Sequence, residues 1–350
     1  MDTRKHISEL IVLLDGVAIL FIVTFHALFG QIDNPLFFLT RYLGFFGLSL
    51  FTFTAGYKLV FNHRDELEGK VFLGTYFFRR FIRLYKPYLG YTLLIFFPVL
   101  ITYYIALNVF HLSFPGITQF FSAIYTANVF TILAFFTGDN PVTGHLWYLI
   151  ALISITAVCF TVMYFMDIRS LFILFFPFVI MSLWFLTITE YFALGIVPKT
   201  MVLVPFFIVG IYLAYNDTDN RAYTKTVARE FFPVAFLIII VMSAFIPGTS
   251  GIAILVFFSS LLLPFFLCTS LVYLKKIAAV RTFLTFAGKY SFAIYLFHLP
   301  LILLILIRGV IDILHINFFF IPFILAVAAM YLSVIAYLIV RKCRLNFLIE

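Results

Sequence analysis

The first long apolar stretch of the chain carries two ionisable side chains that could do chemistry. It runs from Leu10 to Gly30 and holds Asp15 near its start and His26 near its end. Ionisable groups inside a membrane helix are costly, so they indicate a functional site by default. An imidazole also suits general-base catalysis, because it exchanges protons near neutral pH. The alternative is that His26 only hydrogen-bonds a neighbouring helix as polar packing.

A basic segment after the second apolar stretch could bind an anion. Within residues 76–91, Arg79, Arg80, Arg83 and Lys86 recur at helical spacing, which brings them to adjacent positions on a helix. Arginine side chains presented as a fork bind phosphate in a bidentate manner. A basic collar that contacts anionic lipid headgroups is the alternative interpretation, and charge alone favours it.

Tyr295 and His298 lie inside another apolar run, residues 288–302. Pro300 lacks a backbone N–H, so it frees a carbonyl about one turn back. The His298 imidazole or the Tyr295 hydroxyl could satisfy that carbonyl. Structural and functional interpretations are balanced for both side chains.

Aromatic residues open the apolar segment 144–154, where His145, Trp147 and Tyr148 come first. Aromatic side chains at the start of a spanning helix are typical of the belt at the membrane–water interface. We favour this interpretation over catalysis for the three residues.

Small residues are concentrated in the second apolar stretch. They allow a neighbouring helix to approach closely, or they leave space for a substrate. They are Gly44, Gly47, Ser49, Ala55 and Gly56.

Composition predicts an all-α, polytopic helical membrane protein. Hydrophobic residues make up 64% of the 350 residues and charged residues 11%, and the mean hydropathy is +1.14. Apolar runs recur from end to end, so we expect residues 1–350 to form one integral membrane domain. The net charge of +8 does not indicate nucleic-acid binding, because most Lys and Arg fall in short loops that orient the helices. The three scattered cysteines have no metal-ligand spacing, so we expect no metal.

We predict about ten transmembrane helices with both termini in the cytoplasm. Lys and Arg then concentrate in the cytoplasmic loops, as the positive-inside rule requires. Residues 117–137 are apolar enough for an eleventh helix, but a full crossing there would move the basic clusters outside. The predicted spans are 8–30, 38–61, 86–109, 145–166, 170–189, 199–215, 231–247, 251–273, 290–310 and 317–340.

Taken in order, these motifs resemble the acyltransferase type 3 family, whose members are integral membrane proteins that O-acylate extracytoplasmic sugars and lipids. The first span has the form GxAILxxxxxH, ending at His26, and the second contains GLSLFTFTAGY. Arg80 and Arg83 then precede the third span, followed by HLWYL and, near the end, YSFAIYLFHLP. The resemblance covers nearly the whole chain, and the ordered set is much more specific than any single motif.

By this resemblance, the donor is an acyl-CoA, most simply acetyl-CoA, that approaches from the cytoplasm. Arg80 and Arg83, with Lys86, would hold its phosphates, and His26 would act as general base on an acceptor hydroxyl or relay its proton. From Ile7 to His26 is 19 residues, or roughly 28 Å of helix at 1.5 Å per residue. The arginines and the histidine would thus lie near opposite faces, and we expect a continuous polar cavity to join them.

The resemblance also implies an acceptor on the outer side of a cell (plasma or inner) membrane. That acceptor would be a surface polysaccharide, a glycolipid or a lipid-linked sugar, surrounded by membrane lipid. Tyr295, His298 and Trp147 are the candidate substrate-binding residues.

Asp15 departs from the family pattern, which usually has a basic residue eleven positions before the first-span histidine. Three explanations are compatible with this substitution: a different donor, a compensating cation such as Lys86, or a protein that has lost catalysis. It also favours the main alternative function, a transporter or flippase of a lipid-linked or acylated substrate, because a buried carboxylate can relay protons. A non-catalytic structural subunit is the third alternative.

Overall fold

Helices account for all the secondary structure in the described part of the chain. The computed structural model describes residues 3–28, 40–68, 74–75, 77–92, 144–166, 171–188, 196–217, 249–299 and 320–343. The helices are α1 (Thr3–Leu28), α2 (Thr40–Glu68), α3 (77–92), α4 (Trp147–Phe165, after a 3-10 turn at Gly144–Leu146), α5 (Leu171–Ile188), α6 (Ile196–Asp217), α7 (Thr249–Leu274), α8 (Ala278–Lys289), α9 (Ser291–Phe297) and α10 (Ile321–Lys342).

Five of the described helices are long and apolar enough to cross a membrane. The segments lie in α1, α2, α6, α7 and α10, and they are Ile7–Leu28, Tyr42–His63, Ile196–Tyr215, Ala253–Leu274 and Ile321–Lys342. α4 and α5 contain shorter apolar segments. The chain is therefore a multi-pass helical membrane protein, as its composition predicted.

Most of the predicted spans coincide with helices. The spans assigned to α1, α2, α4, α5, α6, α7 and α10 agree with the structure to within a few residues at most ends. The predicted span 231–247 and the additional candidate 117–137 lie outside the described residues, as do residues 93–109 and 300–310 of two further spans.

The helical part of the basic segment begins earlier than the predicted third span. Residues 77–92 are helical, so Pro87 lies inside α3, and the arginines lie on the same helix as the start of the predicted span. α2 also continues to Glu68, beyond its predicted end at residue 61, and bends at His63, where φ is −133° and ψ is 24°. α3 therefore carries Arg79, Arg80, Arg83 and Lys86 on one helix.

Glycines allow α2 and α6 to pack backbone against backbone. A methyl group at Gly56 would collide with the Phe207 carbonyl of α6, and one at Gly210 would collide with the Phe53 carbonyl of α2. The packing interpretation of the small residues in the second span is therefore confirmed at Gly56. α2 lies between α6 and α1 and packs extensively against both.

The predicted span 290–310 does not begin as one straight helix. α8 ends at Lys289, the chain turns at Tyr290, and the short α9 then leads to His298. α8 packs closely on α1, because Gly16 and Gly288 lack side chains where the two helices touch. This packing fixes the start of α9 beside α1.

Candidate active site

Three histidines from distant parts of the sequence meet in the bundle. His26 lies near the end of α1, His298 follows α9, and His145 lies in the turn before α4. Nε2 of His298 is 3.1 Å from Nδ1 of His26. The ring centroids of His145 and His298 are 5.5 Å apart, with the rings nearly perpendicular. The His298 side chain is fully buried.

Backbone carbonyls determine which nitrogen of each ring carries the proton. Nδ1 of His298 lies 2.8 Å from the Tyr295 carbonyl and 3.0 Å from the Ile294 carbonyl, so in the neutral ring Nδ1 is the nitrogen that carries the proton. Its Nε2 then accepts a hydrogen bond, and Nδ1 of His26 donates it. His26 Nδ1 also lies 3.0 Å from the Ile22 carbonyl, which agrees with a donor there. Nε2 of His26 consequently keeps its lone pair, which is the state that a general base requires.

Backbone carbonyls also join the cluster. The His145 imidazole hydrogen-bonds the Leu296 carbonyl of α9. The sequence analysis left a carbonyl about one turn before Pro300 open to the His298 imidazole or the Tyr295 hydroxyl, and His298 Nδ1 does contact the Ile294 and Tyr295 carbonyls. The Tyr295 hydroxyl instead donates to the backbone carbonyl of His145.

The structure also corrects the aromatic-belt interpretation of residues 144–154. Tyr148 is 4% exposed, and its hydroxyl lies 3.2 Å from Oγ1 of Thr52. Because Thr52 donates its own proton to the Leu48 carbonyl at 2.7 Å, Tyr148 is the donor of that pair. Nε2 of His145 is buried and has no hydrogen-bond partner among the described residues. His145 and Tyr148 therefore belong to the interior, not to the membrane surface.

A cavity of about 360 Å³ lies between the basic segment and this histidine cluster. One helical stripe of α2 lines it through Phe51, Thr54, Ala55 and Lys58. α3 contributes Arg80 and Arg83, α4 contributes Tyr148 and α9 contributes Ser291 and Tyr295, among others.

Asp15 also lines the cavity and is held by two partners from α2. Lys58 forms a salt bridge with its Oδ2, and the Thr54 hydroxyl donates to its Oδ1 at 2.7 Å. The sequence analysis named Lys86 as a compensating cation, but the cation that contacts Asp15 is Lys58. Lys86 is exposed and is not among the residues that line the cavity.

The remaining candidates fall into two groups. Arg80 is 8% exposed and turned into the cavity, Arg83 lines it from an exposed position, and Tyr295 closes its inner end. Trp147 lies apart from these residues, half-buried, with the Lys199 ammonium 5.4 Å from its ring centroid.

Among the described residues, the lining of the cavity does not include His26. Tyr148 and Tyr295 line it on the side of the histidine cluster, whereas neither His26 nor His298 does. The Tyr295 ring lies 5.9 Å, centroid to centroid, from that of His298. Its hydroxyl is fixed by the His145 carbonyl and by the Tyr148 backbone N–H. In the part of the chain that the structure describes, the Tyr295 ring therefore separates the cavity from the histidines, and the expected continuous cavity is not observed there.

A cluster of three histidines invites comparison with a metal centre. Among the residues that the structure describes, no group of three or more His, Cys, Asp or Glu side chains is arranged to hold a metal ion. The hydrogen bond between His26 and His298 directs their nitrogens at each other, which suits proton transfer.

Comparison with protein families agrees with this chemistry. The model of the Acyl_transf_3 family, described as an acyltransferase domain, matches residues 11–338. The chain belongs to this family. It is therefore a membrane acyltransferase, and the matched region includes every residue of the cavity and of the histidine cluster named above. No curated protein and no solved structure matches the chain.

Proposed function

We propose that this acyltransferase moves an acyl group, most simply acetyl, from a cytoplasmic acyl-CoA to a hydroxyl of an extracytoplasmic sugar. One observation carries the proposal. The cavity that holds Arg80 and Arg83 ends at Tyr295, and His298, three residues further along the same face, hydrogen-bonds His26. Arg80 and Arg83 therefore lie in the cavity, and the proposed general base lies just beyond the Tyr295 ring that closes its inner end.

The basic end of the cavity suits the phosphates of coenzyme A. Arg80 and Arg83 occupy adjacent turns of α3 and both line the cavity. Two guanidinium forks at this spacing match a diphosphate, because each binds phosphate oxygens in pairs. Lys86, exposed on the next turn, would meet the phosphate nearest the solvent. With ten spans and both termini cytoplasmic, this end faces the cytoplasm.

The cavity reaches Asp15 on α1, which limits the distance that the donor must bridge. Asp15 lines the cavity, and from Asp15 to His26 is eleven residues of α1, or about 17 Å at 1.5 Å per residue. An extended pantetheine arm is of comparable length. The thioester would reach His26 once the Tyr295 ring turns aside.

The reaction requires two proton transfers: His26 first accepts a proton and later gives one up. Nε2 of His26 takes the proton of the acceptor hydroxyl while the hydroxyl oxygen attacks the thioester carbonyl. The carbon–sulfur bond then breaks, and the proton passes to the departing thiolate of coenzyme A. His298 accepts the hydrogen bond of His26 Nδ1 and so stabilises the imidazolium that forms between these steps.

The acceptor would enter from the outer side of the cell membrane. A surface polysaccharide, a glycolipid or a lipid-linked sugar supplies the required hydroxyl. His298 and Tyr295 flank His26 on the inner side of such a substrate, and Trp147 offers a half-buried aromatic face for a sugar ring.

The transporter alternative rested on Asp15 as a proton relay. Both carboxylate oxygens of Asp15 are already engaged, one by Lys58 and one by Thr54. The arrangement thus supports a structural and electrostatic role for this residue, and no other described feature favours transport.

Release of free thiol tests the proposal. The purified protein in liposomes would receive acetyl-CoA and a crude envelope-sugar fraction, beside a His26→Ala variant and an Arg80→Ala/Arg83→Ala variant. We expect thiol from the wild type only when donor and acceptor are both present. The histidine variant should release none, and the arginine variant should need far more donor. Absence of thiol release together with absence of acetyl-CoA binding would contradict the proposal.

A further inference from the structure

Lys58 presents its ammonium to the same cavity as Arg80 and Arg83. Its side chain is 38% exposed, whereas the Asp15 side chain that it contacts is 6% exposed. An ammonium group carries three N–H donors, and its hydrogen-bond partner among the described residues is Asp15. Donors of Lys58 are therefore available to a ligand in the cavity.

Asp15 is arranged to hold this lysine and not to meet the ligand itself. Its Oδ2 accepts from Lys58, and its Oδ1 accepts from Thr54 at 2.7 Å. Thr54 and Lys58 lie one turn apart on α2, so both donors reach the Asp15 carboxylate from the same face of that helix. A lysine side chain has considerable rotamer freedom, and the salt bridge fixes its ammonium at the cavity wall.

The charges around the cavity favour a ligand with several negative charges. Lys58, Arg80 and Arg83 supply three cations, and Asp15 is the only carboxylate among the described lining residues. Lys58 lines the same cavity as Tyr148 at its inner end and as the two arginines of α3.

We propose that Lys58 is a third phosphate-binding residue of the donor site and that Asp15 is its positioning residue. This inference rests on the proposed function, because it adds donor-binding groups to that same site. In this arrangement Asp15 holds the Lys58 ammonium in position before the ligand binds. Such preorganisation contributes to affinity by lowering the ordering cost of binding.

Binding of coenzyme A and of inorganic pyrophosphate, measured by calorimetry in nanodiscs, tests the inference. The variants are Lys58→Met and the double variant Asp15→Asn/Lys58→Met. We expect both to bind either probe at least about tenfold more weakly, as for the loss of a charge-assisted hydrogen bond. Lys289→Met is the matched control, because it removes an exposed lysine that is not among the described lining residues of the cavity, and its binding should stay at the wild-type level.

The double variant separates binding from folding. Lys58→Met alone leaves the Asp15 carboxylate buried without its cation, which lowers stability. Asp15→Asn/Lys58→Met removes both charges, so its melting temperature should remain near that of the wild type while affinity stays low. Lys58→Arg keeps a cation and should retain most of the affinity. Asp15→Asn keeps the lysine but frees it, so its loss of affinity should be smaller than that of the double variant.

The possible outcomes distinguish this inference from the proposed function. If Arg80→Ala weakens coenzyme A binding and the double variant does not, the role of Lys58 is refuted and the function stands. If the wild type binds pyrophosphate but not coenzyme A, the donor assignment fails, whereas loss of pyrophosphate binding in the double variant still supports Lys58. If the wild type binds neither probe, both proposals fall.

Discussion

Nε2 of His298 lies 3.1 Å from Nδ1 of His26, although 272 positions separate the two residues in the chain. Two backbone carbonyls lie against Nδ1 of His298, so in the neutral ring Nε2 is the acceptor and Nδ1 of His26 is the donor. The histidine that follows α9 thereby favours one tautomer of the histidine on α1. The proposed general base, His26, is thus oriented by a residue that the sequence analysis had assigned to substrate binding.

Replacing His298 should lower turnover without weakening donor binding. His298→Leu removes the acceptor for His26 Nδ1–H, and we expect kcat to fall by about 10- to 100-fold, as for other groups that orient a functional imidazole. KM for acetyl-CoA should not change. His298→Gln returns an acceptor near the Nε2 position and should recover part of the rate. Equal losses in the two variants, or a rise in KM, would contradict a positioning role.

Replacing the cavity arginines should have the opposite effect. Arg80→Ala and Arg83→Ala each remove a charge-assisted contact, so KM for acetyl-CoA should rise at least about tenfold, with kcat largely retained. Arg79→Ala is the control, because Arg79 is exposed on the same helix and is not among the residues that line the cavity. Steady-state kinetics in liposomes measures all three. A similar increase for Arg79→Ala would favour the lipid-collar interpretation.

The Tyr295 hydroxyl should restrain the ring that separates the cavity from the histidines. Tyr295→Phe loses the bond to the His145 carbonyl and leaves that buried acceptor unpaired, at a cost of about 1–3 kcal/mol. A ring that turns more freely should admit the thioester, and water with it. We therefore expect faster acetyl-CoA hydrolysis in the absence of acceptor, together with a lower melting temperature. Tyr290→Phe, at a residue outside the cavity lining, should change neither measurement.

The glycine contact between α2 and α6 should be essential for assembly. Even Gly56→Ala adds a methyl group against the Phe207 carbonyl, which forces the helices apart and loosens the cavity wall. We expect a clear drop in melting temperature and reduced yield in detergent. Gly74→Ala is the matched control, since nothing lies within 4 Å of a methyl group there. Equal stability of the two variants would show that the helices tolerate separation.

Sequence patterns predicted the elements well but not how residues meet across helices. Apolar run length located most spans because the bilayer fixes the length of a crossing helix. Helical spacing likewise placed Arg80 and Arg83 on one helix. The contact between Asp15 and Lys58 was not predicted, because in the sequence each residue is an isolated charge in a different span. Only the packing of α1 on α2 brings them into contact.

His145 was assigned to the membrane surface for a related reason. A histidine beside Trp147 at the start of a spanning helix matches an aromatic belt, and nothing local distinguishes a buried ring from an interfacial one. The His145 imidazole hydrogen-bonds the Leu296 carbonyl of α9. This contact joins two distant segments, so no single-helix pattern could identify it.

In the proposed reaction, the donor thiol travels through the cavity to the ring of Tyr295. A cysteine trap tests it directly: Tyr295→Cys, in a chain whose native Cys159, Cys268 and Cys343 have been replaced, is treated with coenzyme A disulfide. Mass spectrometry should find the mixed disulfide at residue 295, and excess acetyl-CoA should block it. Thr282→Cys, exposed on α8, should react whether or not acetyl-CoA is present. If residue 295 stays unmodified while residue 282 reacts, or if acetyl-CoA protects neither or both, the donor does not use this cavity.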